Sequence, residues 1–358
     1  MITIIYPFRN RDLFRITNSL ESLVRQTNKD FCVVFVDYGS DFEISGSIKE
    51  LLQHYKFVKY IYSYHIDQPW SRSKAINIGL RFAETEHVFI ADIDIIFHNR
   101  FIEILFELIN KKINYYFQVG YLDEYESKEF KEFDNYTIDS ESIPEGQGLS
   151  LFKLDSLLAI GGFDEFFHFW GAEDEDVHLR LQKAGYSSKF YNNEILLLHQ
   201  WHRTYQNVEK DKLTVESNLT DVFNLNKQKL RFNQKQNVAN VNCENWGKLV
   251  NENEFKFLNA DVVPIILLNK KNVIENFINI ILPNTHAKII NVVFKEDIYQ
   301  FTFKCKIKKL LRIKTQAYYS LKEINDLVLK TLVIYYRDYL FTYKVSSDLK
   351  SIQLKIKK

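Results

Sequence analysis

Two aspartates separated by one residue follow an apolar segment in the first third of the chain. The segment is HVFIA, at residues 87–91, and the aspartates are Asp92 and Asp94. Alternate side chains of an extended chain share a side, so both carboxylates would face one way with Ile93 toward the core. Hard oxygen ligands there suit Mg²⁺ or Mn²⁺, which complete their shells with phosphates. The pattern also fits a solvated turn.

Four consecutive carboxylates, Glu173–Asp176, follow the glycine-rich and aromatic stretch GGFDEFFHFWG. If they begin a helix, the helix dipole stabilises them, and this alone could explain their presence. The aromatic stretch instead resembles a pocket wall for the apolar face of a sugar ring, where one carboxylate could accept the proton of an attacking hydroxyl. Because the dipole lowers a carboxylate pKa, such a base would need burial or neighbouring negative charge.

Further candidates are two histidines and two basic clusters. His199 and His202 follow the apolar segment EILLL, and two histidines downstream of Asp92 and Asp94 could include a third metal ligand, although a strand-end histidine is more often structural. The basic clusters are PFRNR, at residues 7–11, and SRSK, at residues 71–74. Arginine suits a planar phosphate and lysine supplies a point charge, but each cluster could equally form surface ion pairs.

The elements that must position these residues form a strand–helix–strand rhythm over residues 1–100, which predicts a parallel sheet with helices on its faces. In such sheets, ligands bind beyond the carboxyl ends of the strands. Three predicted strands end in polar residues, at Pro7–Arg11, Asp37–Ser40 and Asp92–Asp94. Residues 122–146 are acidic and aperiodic and predict a mobile surface loop.

The later chain predicts a different organisation. Residues 206–254 are rich in Asn, Gln and Lys and predict a linker or helical arm, which separates a domain at 1–205 from a C-terminal module at 255–358. In that module we predict strands that include Gln300–Ile307, and a helix opened by the capping box Ser320–Glu323.

Composition limits the class of protein. The 358 residues, 46% of them hydrophobic, can bury a sizeable core, and three cysteines argue against a disulfide framework. Neither a leader-like N-terminus nor an apolar run near 20 residues is evident, so we expect a cytoplasmic protein. From Trp201 onward, 27 Lys and Arg face 15 Asp and Glu, whereas the first 200 residues hold 20 and 31. The two halves therefore differ in the partners they suit.

Taken together, the ordered motifs resemble one family. PFRNR, VDYGS, WSRSKAINIG, ADID, IGGFDE, WGAEDED and a strand ending in histidine resemble GT-A glycosyltransferases of family 2. The pattern is most similar to the galactosyltransferase-type branch, which includes β-1,4-galactosyltransferases and bacterial capsule enzymes. It covers residues 1–205 and implies an α/β fold with a Rossmann-like mixed sheet, followed here by a smaller α+β module.

The resemblance implies a role for each matching residue. The donor, a UDP-sugar, would be held by Pro7, Phe8, Arg9, Arg11, Asp37, Arg72, Lys74, Asp92 and Gly148. Asp94 would bind Mn²⁺ or Mg²⁺ directly, with Asp92 at the metal shell and His199 as a further ligand, or His202 as the alternative. Trp170, Glu173 and Asp174 would line the acceptor side, where Asp174 matches the general base and Glu173 stands beside it.

Two positions depart from the family pattern. Tyr38 stands where many members carry a second aspartate after strand two, and could stack near the nucleoside. The galactosyltransferase-type branch also offers a methionine metal ligand, whereas Met1 is the only methionine here. The coordination shell is therefore expected to differ.

The implied activity is metal-dependent transfer of a hexose or N-acetylhexosamine, with inversion, to a glycan or lipid-linked glycan. The alternatives are a noncatalytic GT-A-like carbohydrate-binding or scaffold subunit, a retaining transferase and a nucleotidyltransferase. An AT-rich bacterial composition suggests capsule or lipopolysaccharide synthesis. The basic C-terminus could hold the chain at an anionic membrane on its cytoplasmic face or be an ordinary solvated surface. No nucleic-acid motif accompanies the charge.

Overall fold

The computed structural model describes residues 1–109, 113–144, 146–203, 211–236, 239–286 and 288–358. The chain packs into two units: Met1–Tyr64, Trp70–Asn207 and Phe223–Leu249 form the first, and His65–Pro69, Val208–Val222 and Val250–Lys358 the second. The predicted domain boundaries at residues 205 and 254 concern parts that would fold independently, and they stay a prediction. Residues 206–210, 237 and 238 of the predicted linker lie outside the described residues.

The first unit is built on eleven described strands in two sheets. They are β1 (Ile2–Phe8), β2 (Phe31–Asp37), β3 (Val58–Tyr62), β4 (His87–Ile90), β5 (Ile95–Phe97), β6 (Asn114–Phe117), β7 (Gly120–Tyr121), β8 (Ser140–Glu141), β9 (Ser150–Lys153), β10 (Ser188–Tyr191) and β11 (Leu197–His199). The main sheet has the order β10-β6-β9-β4-β1-β2-β3, and β5-β11-β7-β8 form a smaller sheet. Strands β1 to β4 pair in parallel, whereas β9 is antiparallel to both of its neighbours.

Helices connect and cover these strands. The first unit carries α1 (Leu13–Val24), α2 (Phe42–Leu52), α3 (Arg72–Phe82), α4 (Phe101–Ile109), α5 (Leu154–Ala159), α6 (Glu173–Lys183) and nearly all of α7 (Val222–Gln236). Strand β1 is buried throughout because helices cover both faces of the sheet. Gly79 lets α3 approach β1, since a Cβ there would lie 2.5 Å from the Ile5 Cγ2 atom.

The second unit contains a four-stranded mixed sheet. Its strands are β12 (Ile265–Leu268), β13 (Ile290–Lys295), β14 (Leu340–Val345) and β15 (Ser351–Lys357), in the order β12-β13-β15-β14. Its helices are α8 (Glu252–Leu258), α9 (Lys271–Asn276), α10 (Leu282–Asn284), α11 (Phe303–Leu310) and α12 (Leu321–Thr331). The predicted capping box at Ser320 and Glu323 is present at the start of α12. The mixed α/β architecture and the smaller C-terminal α+β module are therefore confirmed.

Two local predictions were wrong. Gln300–Ile307 is not a strand: it contains the end of a 3-10 turn, Ile298–Phe301, and the start of α11, which Thr302 caps by accepting from the Cys305 amide. Residues 122–146 are not one irregular loop, because β8 pairs with β7 and Tyr136 is buried with Leu122 in a small core. Within the described ranges, no helix combines the length and apolar content needed to cross a bilayer.

Candidate active site

The first residue of α3, Arg72, connects three segments that are distant in sequence. Its Nε donates to Asp92 Oδ1 at 2.8 Å, its Nη1 to Asp174 Oδ1 at 2.7 Å and its Nη2 to the Gly148 carbonyl at 3.0 Å. The helix start is fixed by Ser71, whose hydroxyl accepts from the Lys74 amide and donates to the Phe167 carbonyl. The sequence predicted Arg72 as a site residue, and its guanidinium contacts three others that were also predicted: Asp92, Asp174 and Gly148.

A possible metal site lies at the end of β11. One ligand atom from each of Asp94, His199 and His202 lies within 4.8 Å of the other two. His202 Nε2 is 3.3 Å from Asp94 Oδ2, and His199 Nε2 is 3.7 Å from Asp94 Oδ1. The register of β11 against β5 sets His199 opposite Ile95, beside Asp94. The sequence left the two histidines as alternatives, and the structure places both beside the carboxylate.

These side chains fit a divalent transition metal. Asp94 is 5% exposed, and its Oδ1 has no hydrogen-bond partner among the described residues. A buried carboxylate oxygen without a partner is costly, and a cation would satisfy it. Carboxylate oxygen suits Mg²⁺ and Mn²⁺ alike, and imidazole nitrogen is a ligand of transition metals. Asp94, His199 and His202 could therefore hold Mn²⁺.

The acidic pair at the start of α6 is Glu173, which is buried, and Asp174, whose side chain is 25% exposed. Burial, followed by the charge of Asp174, raises the pKa of Glu173 to about 7. Burial also raises the pKa of Asp174, although Arg72 acts in the opposite direction. Burial alone would raise the pKa of Asp92, but Arg72 together with His199 and His202 holds that pKa below its usual range. Burial thus supplies the basicity that the helix dipole would otherwise reduce.

The chain reaches α6 through an unusual backbone. Phe169, Gly171 and Ala172 have φ values of 64°, 96° and 78°, in the left-handed region that is costly for residues other than glycine. Ala172 precedes Glu173 directly, so this turn sets the direction in which the acidic pair leaves the loop. Gly148 faces the pair, since a Cβ there would lie 3.1 Å from Asp174 Oδ2.

Helix α7 holds this loop from outside. Asn226 donates to the carbonyls of His168 and Trp170, at 3.1 and 3.0 Å. Asn233 donates to Asp164 and Asp176, at 3.0 and 2.7 Å. Neither asparagine is predicted by the motifs, because both lie beyond the family-like segment. No local spacing indicates contacts across more than 50 residues.

Aromatic packing adds to this support. Phe223, at the start of α7, stacks on Trp170, with ring centroids 5.5 Å apart and an interplanar angle of 27°. The Trp170 side chain stays 37% exposed beside the acidic pair. An exposed, fixed aromatic ring next to these carboxylates can contact a sugar ring through its apolar face.

The predicted donor residues occupy the ends of β1 and β2. Pro7 and Phe8 are buried, and Phe8 packs on Phe35, so the strand end presents their backbone. Asp37 accepts from the Ser40 amide and the Tyr60 hydroxyl, and burial raises its pKa. Arg9 is partly exposed near Asp37, and Arg11 is exposed. Lys74 is buried on α3, and Tyr38 packs edge-on against Trp70.

Residues 3–177, just under half of the chain, match the family model described as Glycosyl transferase family 2. No curated protein sequence matches the chain. Similar solved structures include residues 1–349 of TarS from S. aureus, which is 18% identical over 56% of this chain and 60% of that one, with a TM-score of 0.41.

Two other solved structures are similar over 56% and 57% of this chain. The mannosyltransferase PcManGT from Pyrobaculum calidifontis, in complex with GDP-Man and Mn²⁺, is 17% identical over 56% of each chain, with a TM-score of 0.41. GalNAc-T7, with UDP, GalNAc and Mn²⁺, is 14% identical over 57% of this chain and 44% of that one, with a TM-score of 0.46. The chain thus covers less than two thirds of each of these proteins.

Proposed function

We propose that this chain transfers a sugar from a UDP-sugar to a hydroxyl of a glycan acceptor, because residues 3–177 match the family model of glycosyl transferase family 2, whose motifs the sequence carries. One observation carries the proposal: Arg72 connects the aspartate beside the metal-ligand set to the acidic pair of α6. A sugar transferase needs both functions within the length of one sugar, namely a binder for the leaving diphosphate and a base for the acceptor.

On the donor side, Asp94, His199 and His202 would hold Mn²⁺, which neutralises negative charge on a leaving diphosphate when bound. Arg72 and Lys74 add positive charge at the start of α3, and Arg9 adds it at the end of β1. Asp37, with two hydrogen-bond donors already fixed on its carboxylate, would orient the nucleoside.

On the acceptor side, Asp174 removes the proton from the attacking hydroxyl, and Trp170 holds the acceptor ring. The raised pKa of Asp174 makes it a better proton acceptor than an exposed aspartate. Arg72 donates to Oδ1 of Asp174, so the proton of the acceptor hydroxyl would pass to the other oxygen, Oδ2. A single displacement by a hydroxyl activated in this way inverts the configuration at the anomeric carbon.

The finer assignments rest on the motifs. We propose a member of the galactosyltransferase-type branch, with galactose or N-acetylgalactosamine as the sugar and a glycan or lipid-linked glycan as the acceptor. Capsule or lipopolysaccharide synthesis at the cytoplasmic face of a bacterial membrane accounts for the composition and the basic C-terminus.

The experiment that tests the proposal is UDP release from a panel of UDP-sugars, with and without Mn²⁺, for the wild type and Asp94→Asn. We expect slow release from one donor, dependent on Mn²⁺ and lost in the variant. Calorimetric titration of UDP accompanies the assay. Binding without release from any donor indicates that turnover requires the acceptor, whereas neither binding nor release refutes the proposal in favour of a noncatalytic carbohydrate-binding subunit.

A further inference from the structure

Helix α11 of the second unit presents its apolar side chains outward. Residues four or three apart share a helix face, so Phe303, Ile307 and Leu310 lie on one side. Their exposed fractions are 78%, 39% and 82%, whereas Cys305, on the opposite side, is fully buried. A surface helix normally buries its large apolar residues, so this helix carries the reverse arrangement.

The apolar surface continues on both sides of α11. Ile298 and Phe301 in the preceding turn are 80% and 56% exposed, and Leu311 and Ile313 after the helix are 63% and 51% exposed. We call these residues, together with Phe303, Ile307 and Leu310, the apolar ridge. Contiguous exposed apolar residues of this number mark an interaction site rather than scattered surface residues.

Positive charge surrounds the apolar ridge. Six basic residues lie in the twelve positions from Phe303 to Lys314, and they are Lys304, Lys306, Lys308, Lys309, Arg312 and Lys314. The sequence contains no acidic residue between Asp297 and Glu323. Cationic side chains beside exposed leucine and phenylalanine match the chemistry of a bilayer interface, where headgroups carry negative charge above an apolar layer.

We propose that the apolar ridge and its basic neighbours bind the surface of a bilayer that contains anionic lipids. A nucleic acid would use the lysines but would leave the phenylalanine and leucine side chains against water or phosphate. A second copy would bring two equally basic surfaces together, because a two-fold interface pairs the same patch with itself. Of these three occupants, the lipid surface is the one that matches both the charge and the apolar side chains.

The experiment is flotation of the full chain with two kinds of vesicle, pure phosphatidylcholine and phosphatidylcholine with about a third phosphatidylglycerol. We expect binding to the anionic vesicles that weakens as salt rises, and at least tenfold weaker binding to neutral vesicles. The double variant Phe303→Gln/Leu310→Gln should lower the partition coefficient at least tenfold, because two inserted side chains are lost.

Val263→Gln is the matched control, since Val263 is 87% exposed in the same unit but lies outside the apolar ridge. It should float like the wild type, and all variants should keep the wild-type melting temperature. Failure of the wild type to float at low salt overturns the proposal, as does unchanged flotation of the double variant. If the wild type does not float but is a dimer by light scattering, and the double variant is a monomer, the occupant of the apolar ridge is a second copy instead. None of these readouts depends on sugar transfer.

Discussion

At the residue scale, Arg72 is the common partner of the groups that would do chemistry. Its side chain is 12% exposed and donates to Asp92 and Asp174 at once. A planar guanidinium can serve two carboxylates in this way, whereas a lysine could not hold both in a fixed geometry. The roles of neighbouring carboxylates can therefore be separated by replacing them one at a time.

Asp174→Asn removes the proposed base but keeps the shape of the side chain. We expect kcat for transfer to fall by about 100- to 10,000-fold, the usual contribution of a positioned general base. UDP affinity, measured by calorimetry, should stay close to that of the wild type. Glu175→Gln is the matched control, because this neighbour is half-exposed and pairs with Lys227. Retained turnover in Asp174→Asn would exclude Asp174 as the base.

The metal ligands give a second prediction at this scale. His199→Ala and His202→Ala should each weaken Mn²⁺ binding at least tenfold, because each removes one of the three proposed ligands. Electron paramagnetic resonance of free Mn²⁺ measures the affinity without turnover. His54→Ala, at an exposed position elsewhere, should change nothing. A histidine whose replacement leaves the affinity intact is not a ligand.

Glu173 makes a prediction about pH. Because its pKa is about 7 in the folded chain and 4.5 in its ordinary state, the folded chain binds more protons between these values. The free energy of unfolding therefore falls as pH rises from 4.5 to 7. Glu173→Gln has no carboxylate at this position and therefore no such decrease. The free energy of unfolding of Glu173→Gln minus that of the wild type should rise by on the order of a few kcal/mol between pH 4.5 and pH 7. Denaturant titrations at several pH values measure the difference, and a difference independent of pH would contradict the shift.

At the scale of elements, α7 acts as a support for the loop and helix that carry the acidic pair. Asn233 stabilises two buried carboxylates, those of Asp164 and Asp176, and Asp176 also forms a fully buried ion pair with Arg180. Removing a donor from buried charged acceptors costs the desolvation of the groups left behind. The stability of α6 therefore depends on residues outside the matched family segment.

Asn233→Ala tests this support. We expect a loss of about 2 kcal/mol in the free energy of unfolding, since two buried carboxylates each lose a hydrogen bond. Chemical denaturation measures it. The control is Gln234→Ala, because the Gln234 side chain is exposed one position along the same helix. Equal stability of the two variants would mean that Asn233 contributes no more than an exposed residue.

Which elements could be predicted depended on the range of their contacts. The strand-end positions of Asp37, Asp92 and Asp94 followed from local periodicity, because parallel strands end at a common edge. Helix α11 was mistaken for a strand because Phe301, Phe303, Cys305 and Ile307 alternate with polar residues, as in a half-buried strand. Alternation of apolar and polar residues indicates a strand only when the apolar residues face a core. Three of these four residues face solvent instead.

The site itself was only partly predictable. Candidate residues could be named one by one, since each follows a recognisable segment. The hydrogen bond from Arg72 to Asp174 spans 102 positions, and no sequence pattern fixes a pair at that separation. The presence of both His199 and His202 beside Asp94 likewise depends on the register of β11 against β5, which the three-residue strand does not reveal alone.

At the scale of the whole molecule, the two units exchange segments along the chain. His65–Pro69 belongs to the second unit although the sequence on both sides belongs to the first. Its Asp67 carbonyl accepts from the Tyr343 amide at 2.7 Å, and His65 and Gln68 are each 5% exposed. The second unit thus includes buried backbone from the first fifth of the sequence.

A chain ending at Leu249 tests this arrangement. We expect protease cleavage to begin within residues 65–69, because that segment loses the strand that donates to its Asp67 carbonyl. Mass spectrometry of the first fragments locates the cut, and the full-length chain under the same conditions is the control. Equal resistance at this segment in both chains would show that it is held without residues 250–358.

The hydrogen bond between Asp67 and Tyr343 also orders events during synthesis. A ribosome releases Asp67 long before it reaches Tyr343, so the loop at residues 65–69 leaves the exit tunnel without the strand that completes it. The rest of the first unit can fold around that gap while translation continues. The loop can therefore close only after β14 has left the tunnel, so a nascent chain stalled before β14 would expose this segment to chaperones and proteases.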